Sequence, residues 1–273
     1  MKTVRDRGQY QTLLSDADRQ VLGRIIALFG QFVGPELTPI GHYRTMTPKT
    51  VWLEIVAQVC VAGSARHWDR LYTDPAASTR LEKAISLQSL GRQEHRVSYL
   101  AETLRAFSAT RFPNRSAEKL VSVLELSTVF QGGELVLLRG LSHEDDSDHI
   151  RDVLMNRCPI FRLKSASNFM ISVGLSHDVI ALDSRVVGFL REYLDYNPTA
   201  VQIQSSRKLY LSLESALRKF CHDRGVSLGR LDRLLFRFSR MSAIDLVVRY
   251  PQLTCYLGQQ TAHNLGGQHG AGD

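Results

Sequence analysis

The spacing of apolar residues limits the fold of this chain more than any other feature of its sequence. Leucine, isoleucine and phenylalanine recur at three- to four-residue intervals through most of the chain, as from Leu22 to Phe29, and this spacing is typical of amphipathic helices. No segment alternates apolar and polar residues convincingly as a half-buried strand does, and no unit of about 20 to 50 residues repeats. We therefore predict an all-α protein.

Capping residues and glycines indicate where the helices begin and end. Ser15 precedes the first apolar repeat, Thr50 is the expected N-cap of a strongly apolar second helix, and Gly174 is the expected stop of a later one. The predicted helices are 15–32, 50–68, one or two within 78–110, 117–130, 148–156, 164–173, 184–196, 205–224, 227–240 and 242–250. The predicted domain organisation is one helical domain over 1–261, with an N-terminal extension 1–47, subdomains of about 48–155 and 156–250, and a disordered Gly/His-rich tail at 262–273.

The composition is that of a globular chain. It has 273 residues, of which 44% are apolar and 22% are charged, so a disordered or fibrous protein is excluded and the chain can bury a sizeable core. There is no run of about 18 apolar residues, and the opening MKTVRDRGQY lacks the apolar stretch of a signal peptide. The sequence therefore predicts a cytoplasmic protein with no membrane partner.

Positive charge is concentrated in one part of the chain. The net charge is +7, and residues 184–250 alone hold 12 Lys/Arg against 6 Asp/Glu. Such an excess fits a polyanionic partner such as nucleic acid, although a solvated basic helical face would have the same composition.

The cysteines do not form a metal-binding pattern. They stand at 60, 158, 221 and 255, far apart and without a CxxC pair, which excludes the usual zinc and iron–sulfur arrangements. We expect reduced core cysteines, no metal and no other cofactor.

The segment from Lys164 to Asp183 carries the clearest chemical signal. Lys164 opens an amphipathic helix, where the positive end of the helix dipole and apolar neighbours favour the neutral, nucleophilic amine. Asp183 follows the apolar run 179–182 and precedes another helix, which is a natural N-cap position. Each residue also has a plain structural interpretation, Lys164 as a surface lysine and Asp183 as a helix cap.

Four short motifs accompany this pair in a recognisable order. They are Lys-x-Ala-Ser-x-Phe-x-x-x-Val-Gly at 164–174, Arg-Phe-Pro-Asn-Arg-Ser-Ala at 111–117, Tyr-Leu-x-Leu-Glu-x-x-Leu-Arg at 210–218 and Val-Ser-Leu-x-x-Leu-Asp at 226–232. With the Lys-to-Asp spacing they resemble the helix-hairpin-helix DNA glycosylases over about residues 48–240. The type 2, archaeal-like group of 8-oxoguanine glycosylase/lyases is the most similar.

The resemblance implies a two-lobed helical fold and a DNA N-glycosylase that binds double-stranded DNA as a monomer. The target nucleotide would be flipped out of the duplex before its base is removed. Asp183 would stabilise the positive charge that develops on the sugar, and Lys164 would attack C1′ and form a Schiff base. Whether AP lyase cleavage of the strand follows is left open.

Further candidate site residues follow from the same resemblance. Aromatic side chains that could hold the flipped base are Trp68, Phe112, Phe236 and Phe238. Basic side chains that could contact phosphate are Arg157, Arg162, Arg185, Arg207, Lys208, Arg230, Arg233 and Arg237. For each aromatic residue a role in the hydrophobic core is the alternative.

The expected hairpin departs from the pattern of the family. Glycines there let the backbone NH groups approach a DNA phosphate, but residues 159–163 read Pro-Ile-Phe-Arg-Leu and contain none. We expect a degenerate hairpin whose contact with phosphate passes to side chains such as Arg157 and Arg162.

The substrate and the activity itself stay open at the level of sequence. Oxidised guanine is the base that the resemblance implies, in a repair role. An enzymatically modified base, such as a bulky modified cytosine in phage DNA, is a second candidate and implies anti-phage defence. The alternatives to an enzyme are a catalytically inactive DNA-binding module of the same fold and an all-α adaptor for an acidic protein.

Overall fold

The computed structural model describes residues 14–29, 37–194 and 196–238. Its helices are α1 (Asp16–Phe29), α2 (Pro48–Cys60), α3 (Arg66–Tyr72), α4 (Pro75–Ala84), α5 (Leu87–Gly91), α6 (Arg96–Ala106), α7 (Pro113–Leu124), α8 (Ser147–Arg157), α9 (Leu163–Ser172), α10 (Ser184–Tyr193), α11 (Ala200–Ser205), α12 (Arg207–His222) and α13 (Leu228–Phe238). A 3-10 helix covers His42–Arg44, and two short strands are β1 (Phe130–Gln131) and β2 (Glu134–Leu135). The predicted all-α class is confirmed. The helix expected at 242–250, the tail 262–273 and Cys255 lie outside the described residues.

The helix predicted over 50–68 is two helices in the structure. The first of the two, α2, has Thr47 as its N-cap, and the Thr47 hydroxyl accepts a hydrogen bond from Thr50 N at 3.2 Å. Pro48 occupies the first helical position, where no NH is needed. Gly63, with φ +80°, turns the chain between α2 and α3. The predictions of one continuous helix and of a Thr50 cap were therefore wrong.

A small β-hairpin follows α7, although the sequence indicated no strands. Phe130 pairs with Leu135 and Gln131 with Glu134 in antiparallel register. Gly132 and Gly133 form the turn with φ of +59° and +84°, which is the backbone of a two-residue turn that glycine adopts without strain. Two residues per strand are too few to show an alternating pattern.

Two clusters of buried apolar side chains form the core. The first is built from α2 to α9 and ends at Val179. The second begins at Ile180 and takes in α10 to α13 together with Leu22 and Ile25 of α1. The buried clusters thus divide between Val179 and Ile180, while a subdomain boundary near residue 156 stays a prediction.

A buried ion pair joins helices of the two clusters. Arg151 on α8 and Glu214 on α12 are both fully buried. Arg151 Nη1 and Nη2 donate to Glu214 Oε1 and Oε2 at 2.9 and 2.7 Å. The guanidinium also bonds to Ser167 Oγ at 3.0 Å and pairs with Asp148. This bidentate arrangement fixes α8 against α12 in one orientation.

The three cysteines in the described part of the chain are free and buried. Burial raises the pKa of each thiol, at Cys60, Cys158 and Cys221, to about 12, which makes them inert core residues. Within the same residues, no helix is long and apolar enough to cross a membrane.

Candidate active site

A cavity of about 840 Å³ is lined by helices of both apolar clusters. The first cluster contributes the end of α2, the start of α3, Lys119 of α7, the hairpin before α9 and one face of α9. The second contributes Ala181, residues 183–185, the start of α11 and one face of α13. Lys164 and Asp183 both line this cavity, so the structure brings the two predicted catalytic residues to one place.

Lys164 is half-buried in the first turn of α9. Burial lowers the pKa of its amine, Arg233 and Arg185 act in the same direction, and Asp183 and Asp232 oppose them. The net direction is downward because removing an ammonium from water is unfavourable. A larger share of the amine is therefore neutral and able to act as a nucleophile.

Asp183 is the N-cap of α10, as the sequence predicts. Its Oδ1 accepts hydrogen bonds from the backbone NH groups of Arg185 and Val186, each at 2.9 Å. These bonds fix the carboxylate at the edge of the cavity.

The extended segment before Asp183 is held by three side chains from α12 and α13. The three donor–acceptor pairs are Ile180 N with Glu214 Oε1 at 3.1 Å, Ala181 N with Asp232 Oδ1 at 2.7 Å and Leu182 N with Tyr210 Oη at 3.3 Å. Three successive backbone donors therefore bond to buried side chains, and the position of Asp183 is set by the second cluster.

Asp232 is a second carboxylate beside Lys164 that sequence reasoning did not select. It is fully buried, and burial raises its pKa to about 6, with Arg233, the Ala181 backbone and Lys164 opposing the shift. Asp232 is the last residue of the fourth motif, at 226–232. That motif indicated the family resemblance but no separate role for this carboxylate.

Glu54 on α2 is a further carboxyl group of the cavity. Burial raises its pKa to about 7, and the positive charge of Arg233 acts against this. Glu54 also lines a neighbouring cavity of about 310 Å³. Nothing in the local sequence of an apolar helix distinguishes it, because its burial comes from elements far along the chain.

The remaining polar groups form a connected network. Arg233 Nη1 donates to Asn168 Oδ1 at 2.8 Å and to Asp232 at 3.1 Å, and its Nη2 donates to Ser172 Oγ at 3.1 Å. Asn168 Nδ2 in turn donates to Gln58 Oε1 at 3.0 Å. α2, α9 and α13 thus present fixed hydrogen-bonding groups to the cavity, which can read the polar edge of a ligand.

Residues 76–226 match the family described as 8-oxoguanine DNA glycosylase, with its helix-hairpin-helix domain. The match covers more than half of the chain. The chain belongs to this family. Neither the comparison with curated proteins nor the one with solved structures found a match. Membership makes the protein one of the helix-hairpin-helix DNA glycosylases and implies binding to DNA; the type 2 subgroup stays a prediction.

Two of the four candidate aromatic residues line the cavity of this glycosylase. Trp68 is 8% exposed and Phe236 lies beneath the guanidinium of Arg185, 4.7 Å from ring centroid to Cζ. Phe112 is outside the cavity lining, 43% exposed, with Arg111 over its ring. Phe238 ends α13, and its side chain lies outside the described residues. Trp68 and Phe236 are thus the candidates placed at the cavity, and contact of either with a base stays a prediction.

The candidate phosphate contacts separate into two groups, those that line the cavity and those that do not. Arg162, Arg185 and Arg233 line the cavity, but Arg233 is bound into the network above and Arg185 lies 3.8 Å from Asp69. Arg157 donates to the carbonyls of Leu137 and Arg139 at 2.9 and 2.7 Å. Those outside the cavity lining are Arg157, Arg207, Lys208, Arg230 and Arg237.

Arg157, Arg162 and Arg233 differ in how well they can contact phosphate. Arg157 Nη1 and both terminal nitrogens of Arg233 donate within the protein, so contact of these two residues with phosphate stays a prediction with fewer free donors to support it. Arg162 remains at the mouth of the cavity and is exposed.

Proposed function

We propose that this chain is a DNA N-glycosylase that excises an oxidised or enzymatically modified base, with Lys164 as nucleophile. The observation that carries the proposal is the Lys164 amine with its lowered pKa, placed with Asp183 and Asp232 in one cavity. A scaffold has no need of a half-buried amine beside two carboxylates, because burying charged groups is unfavourable.

The reaction uses groups that the cavity brings together. The flipped nucleotide enters with its base toward the polar network and its sugar toward Lys164. As the bond from C1′ to the base breaks, the base leaves with the electron pair, and Asp183 stabilises the positive charge on the sugar. Lys164 Nζ bonds to C1′ and loses a proton, for which Asp232, with a pKa raised to about 6, is the nearby acceptor.

The sugar ring then opens: the C1′–O4′ bond breaks, O4′ takes up a proton, and the C1′–N bond becomes the double bond of a Schiff base. The Schiff base has two fates. Water can hydrolyse it and leave an abasic site. Alternatively, β-elimination breaks the C3′–O bond and cleaves the strand, which is lyase activity. The proposal includes excision and leaves the choice between these fates to experiment.

Two classes of base are candidate substrates. The family description favours 8-oxoguanine and a role in repair. The volume of the cavity, about 840 Å³, lies toward the upper end of the range of about 300 to 1,000 Å³ for pockets that take drug-sized ligands. That space favours a base carrying a substituent, such as the modified cytosines of phage DNA, and thus a role in anti-phage defence.

The test is mass analysis of bases released from two substrates. One is a duplex containing 8-oxoguanine, and the other is phage DNA with modified cytosines, each compared with the same DNA carrying unmodified bases. Release from either substrate supports the proposal and identifies the class. DNA binding with no release from either would instead favour an inactive DNA-binding module.

Two variants assign the residues. Lys164→Gln should abolish the covalent protein–DNA adduct trapped by borohydride, because the Schiff base needs the amine. Asp183→Asn should lower excision on the order of 100-fold while DNA binding and melting temperature persist, since Asn is nearly as good an N-cap. A stable Asp183→Asn protein that excises at the full rate would contradict the catalytic role of that carboxylate.

A further inference from the structure

Three cationic side chains lie together at the mouth of the cavity. Arg115 and Lys119 are one turn apart on α7, and Arg162 is the residue before α9. Lys119 and Arg162 line the same cavity as Lys164. We refer to Arg115, Lys119 and Arg162 as the rim cluster.

The rim cluster carries uncompensated positive charge. Partial burial lowers the pKa of Lys119, and the charges of Arg115 and Arg162 lower it further. Within the described residues, no carboxylate lies within 4.0 Å of the basic group of any of the three. Some arginines elsewhere are paired with a carboxylate, for example Arg207 with Asp152 at 2.8 Å. Like charges held together without a counter-charge favour the binding of an anion.

Most residues of the hairpin between α8 and α9 offer no free backbone donor to that anion. Cys158 N bonds to Leu154 O, Phe161 N to Cys158 O, and Arg162 N to Ser165 Oγ, at 2.9, 2.9 and 2.8 Å. Pro159 has no NH. Four of the five residues from 158 to 162 are thus without a free backbone NH for a phosphate.

We propose that the rim cluster binds a backbone phosphate of the DNA strand, in place of the hairpin backbone. This inference rests on the proposed function, because it supposes that a strand enters the cavity. The occupied amides leave the hairpin backbone few donors for a phosphate, and the three side chains supply the positive charge at the same edge. Arg162 is two residues before Lys164, so a phosphate held there places the strand beside the start of α9 and the nucleophile.

The experiment measures duplex DNA affinity against KCl concentration for a Lys119→Ala/Arg162→Ala double variant. Removing one phosphate-binding charge should lower the slope of log affinity against log salt by about 0.9. The matched control is Lys83→Ala/Arg92→Ala, which removes the same charge from exposed positions outside the cavity lining. We expect the control to keep the wild-type slope and the slope of the rim variant to fall by about 1.

Conservative substitution separates charge from shape. Lys119→Arg/Arg162→Lys retains both charges and should retain the slope, and melting temperatures establish that each variant is folded. A folded rim variant with the wild-type slope would overturn the inference. In that case, base release by the wild-type protein would still support the proposed function. Failure of the wild type to bind DNA would instead contradict both the proposed function and the inference about the rim cluster.

Discussion

At the scale of single residues, the carboxyl groups of the cavity are held in unequal surroundings. Asp183 accepts two backbone hydrogen bonds at a helix start. Glu54 has no such bonds among the described hydrogen bonds, and burial raises its pKa to about 7. A protonated Glu54 is a hydrogen-bond donor near neutral pH, so the cavity can offer both a donor and an acceptor of carboxyl type to a base.

The Glu54 carboxyl makes stability depend on pH in a defined direction. Its pKa in the folded chain, about 7, is above the ordinary 4.5, so the stability it contributes is complete below about 4.5 and is lost as pH rises through about 7. The Glu54→Gln variant has no carboxyl group to titrate at this position. Its free energy of unfolding should therefore rise by roughly 3 kcal/mol relative to that of the wild type between pH 4.5 and pH 8. Urea unfolding at both pH values measures this, with exposed Glu102→Gln as control. If the stability of Glu54→Gln and of the wild type depended equally on pH, the raised pKa of Glu54 would be contradicted.

The residues that sequence could predict are those whose chemistry is visible locally. Lys164 and Asp183 stand at helix starts after recognisable patterns, and the structure places both on one cavity. Glu54 and Asp232 depend on burial by helices distant in sequence, and an apolar helix offers no sign of which carboxyl will be enclosed. Arg233 was predicted to contact phosphate because the sequence does not show that Asn168 and Ser172 of α9 accept its hydrogen bonds.

At the scale of elements, the turn after α9 is under a close steric constraint. Gly174 has φ +69°, and a Cβ added there would lie 2.0 Å from the carbonyl oxygen of Pro39. Gly174 O also accepts a hydrogen bond from Gly41 N at 2.8 Å. The segment before α2 thus packs directly against the end of α9, the helix that carries Lys164.

Gly174→Ala should therefore destabilise the protein by about 2 to 4 kcal/mol, through overpacking and an unfavourable φ. Gly188→Ala is the control, because Gly188 lies within α10 with no atom near its missing Cβ, and alanine there should add about 1 kcal/mol of stability. Thermal or urea unfolding of the two variants should shift in opposite directions. A neutral Gly174→Ala would show that the Pro39 segment can move away.

Helix positions could be predicted wherever the periodic apolar pattern is long. The predicted helix boundaries were wrong where the turn between two helices is short. The helix starting near Lys164 and the cap at Asp183 agree with the structure. The helix predicted at 205–224 is α12, whereas α11 at Ala200–Ser205 was not predicted; Ser206 separates the two and caps α12 through Leu209 N at 3.3 Å. α11 has only 6 residues, which are too few for a periodic apolar pattern to indicate it.

At the scale of the whole molecule, the Arg151–Glu214 pair is a buried polar connection between the two apolar clusters. Arg151→Met leaves the buried carboxylate of Glu214 without its partner and should cost about 3 to 5 kcal/mol. The double variant with Glu214→Leu should be less destabilised than the sum of the two single variants. The measurement is a double-mutant cycle of unfolding free energies.

The exposed pair Arg207–Asp152 is the matched control for that cycle. It has the same bidentate geometry at 2.8 Å but roughly half of each side chain is exposed. Arg207→Met should change the free energy of unfolding by at most about 1 kcal/mol. Additive effects of the Arg151 and Glu214 substitutions would contradict a coupled buried pair.

The two-lobed arrangement was predicted from the family resemblance. The position at which the buried apolar clusters divide, between Val179 and Ile180, was not predicted. Val179 and Ile180 are adjacent apolar residues in one short run, yet their side chains belong to different clusters. An extended segment sends successive side chains to opposite sides, so a run of apolar residues can supply both. Only the packing partners, which lie far along the chain, distinguish the two.

The floor of the cavity and its reactive groups come from separate helices, and this has an evolutionary consequence. Glu54 and Gln58 lie one turn apart on α2, whereas Lys164 and Asp183 occupy the starts of α9 and α10. Under the proposed function, substitutions on one face of α2 would alter which base is accepted, while Lys164 and Asp183 stay unchanged. A lineage exposed to new base modifications would then adapt along α2 without passing through an inactive ancestor.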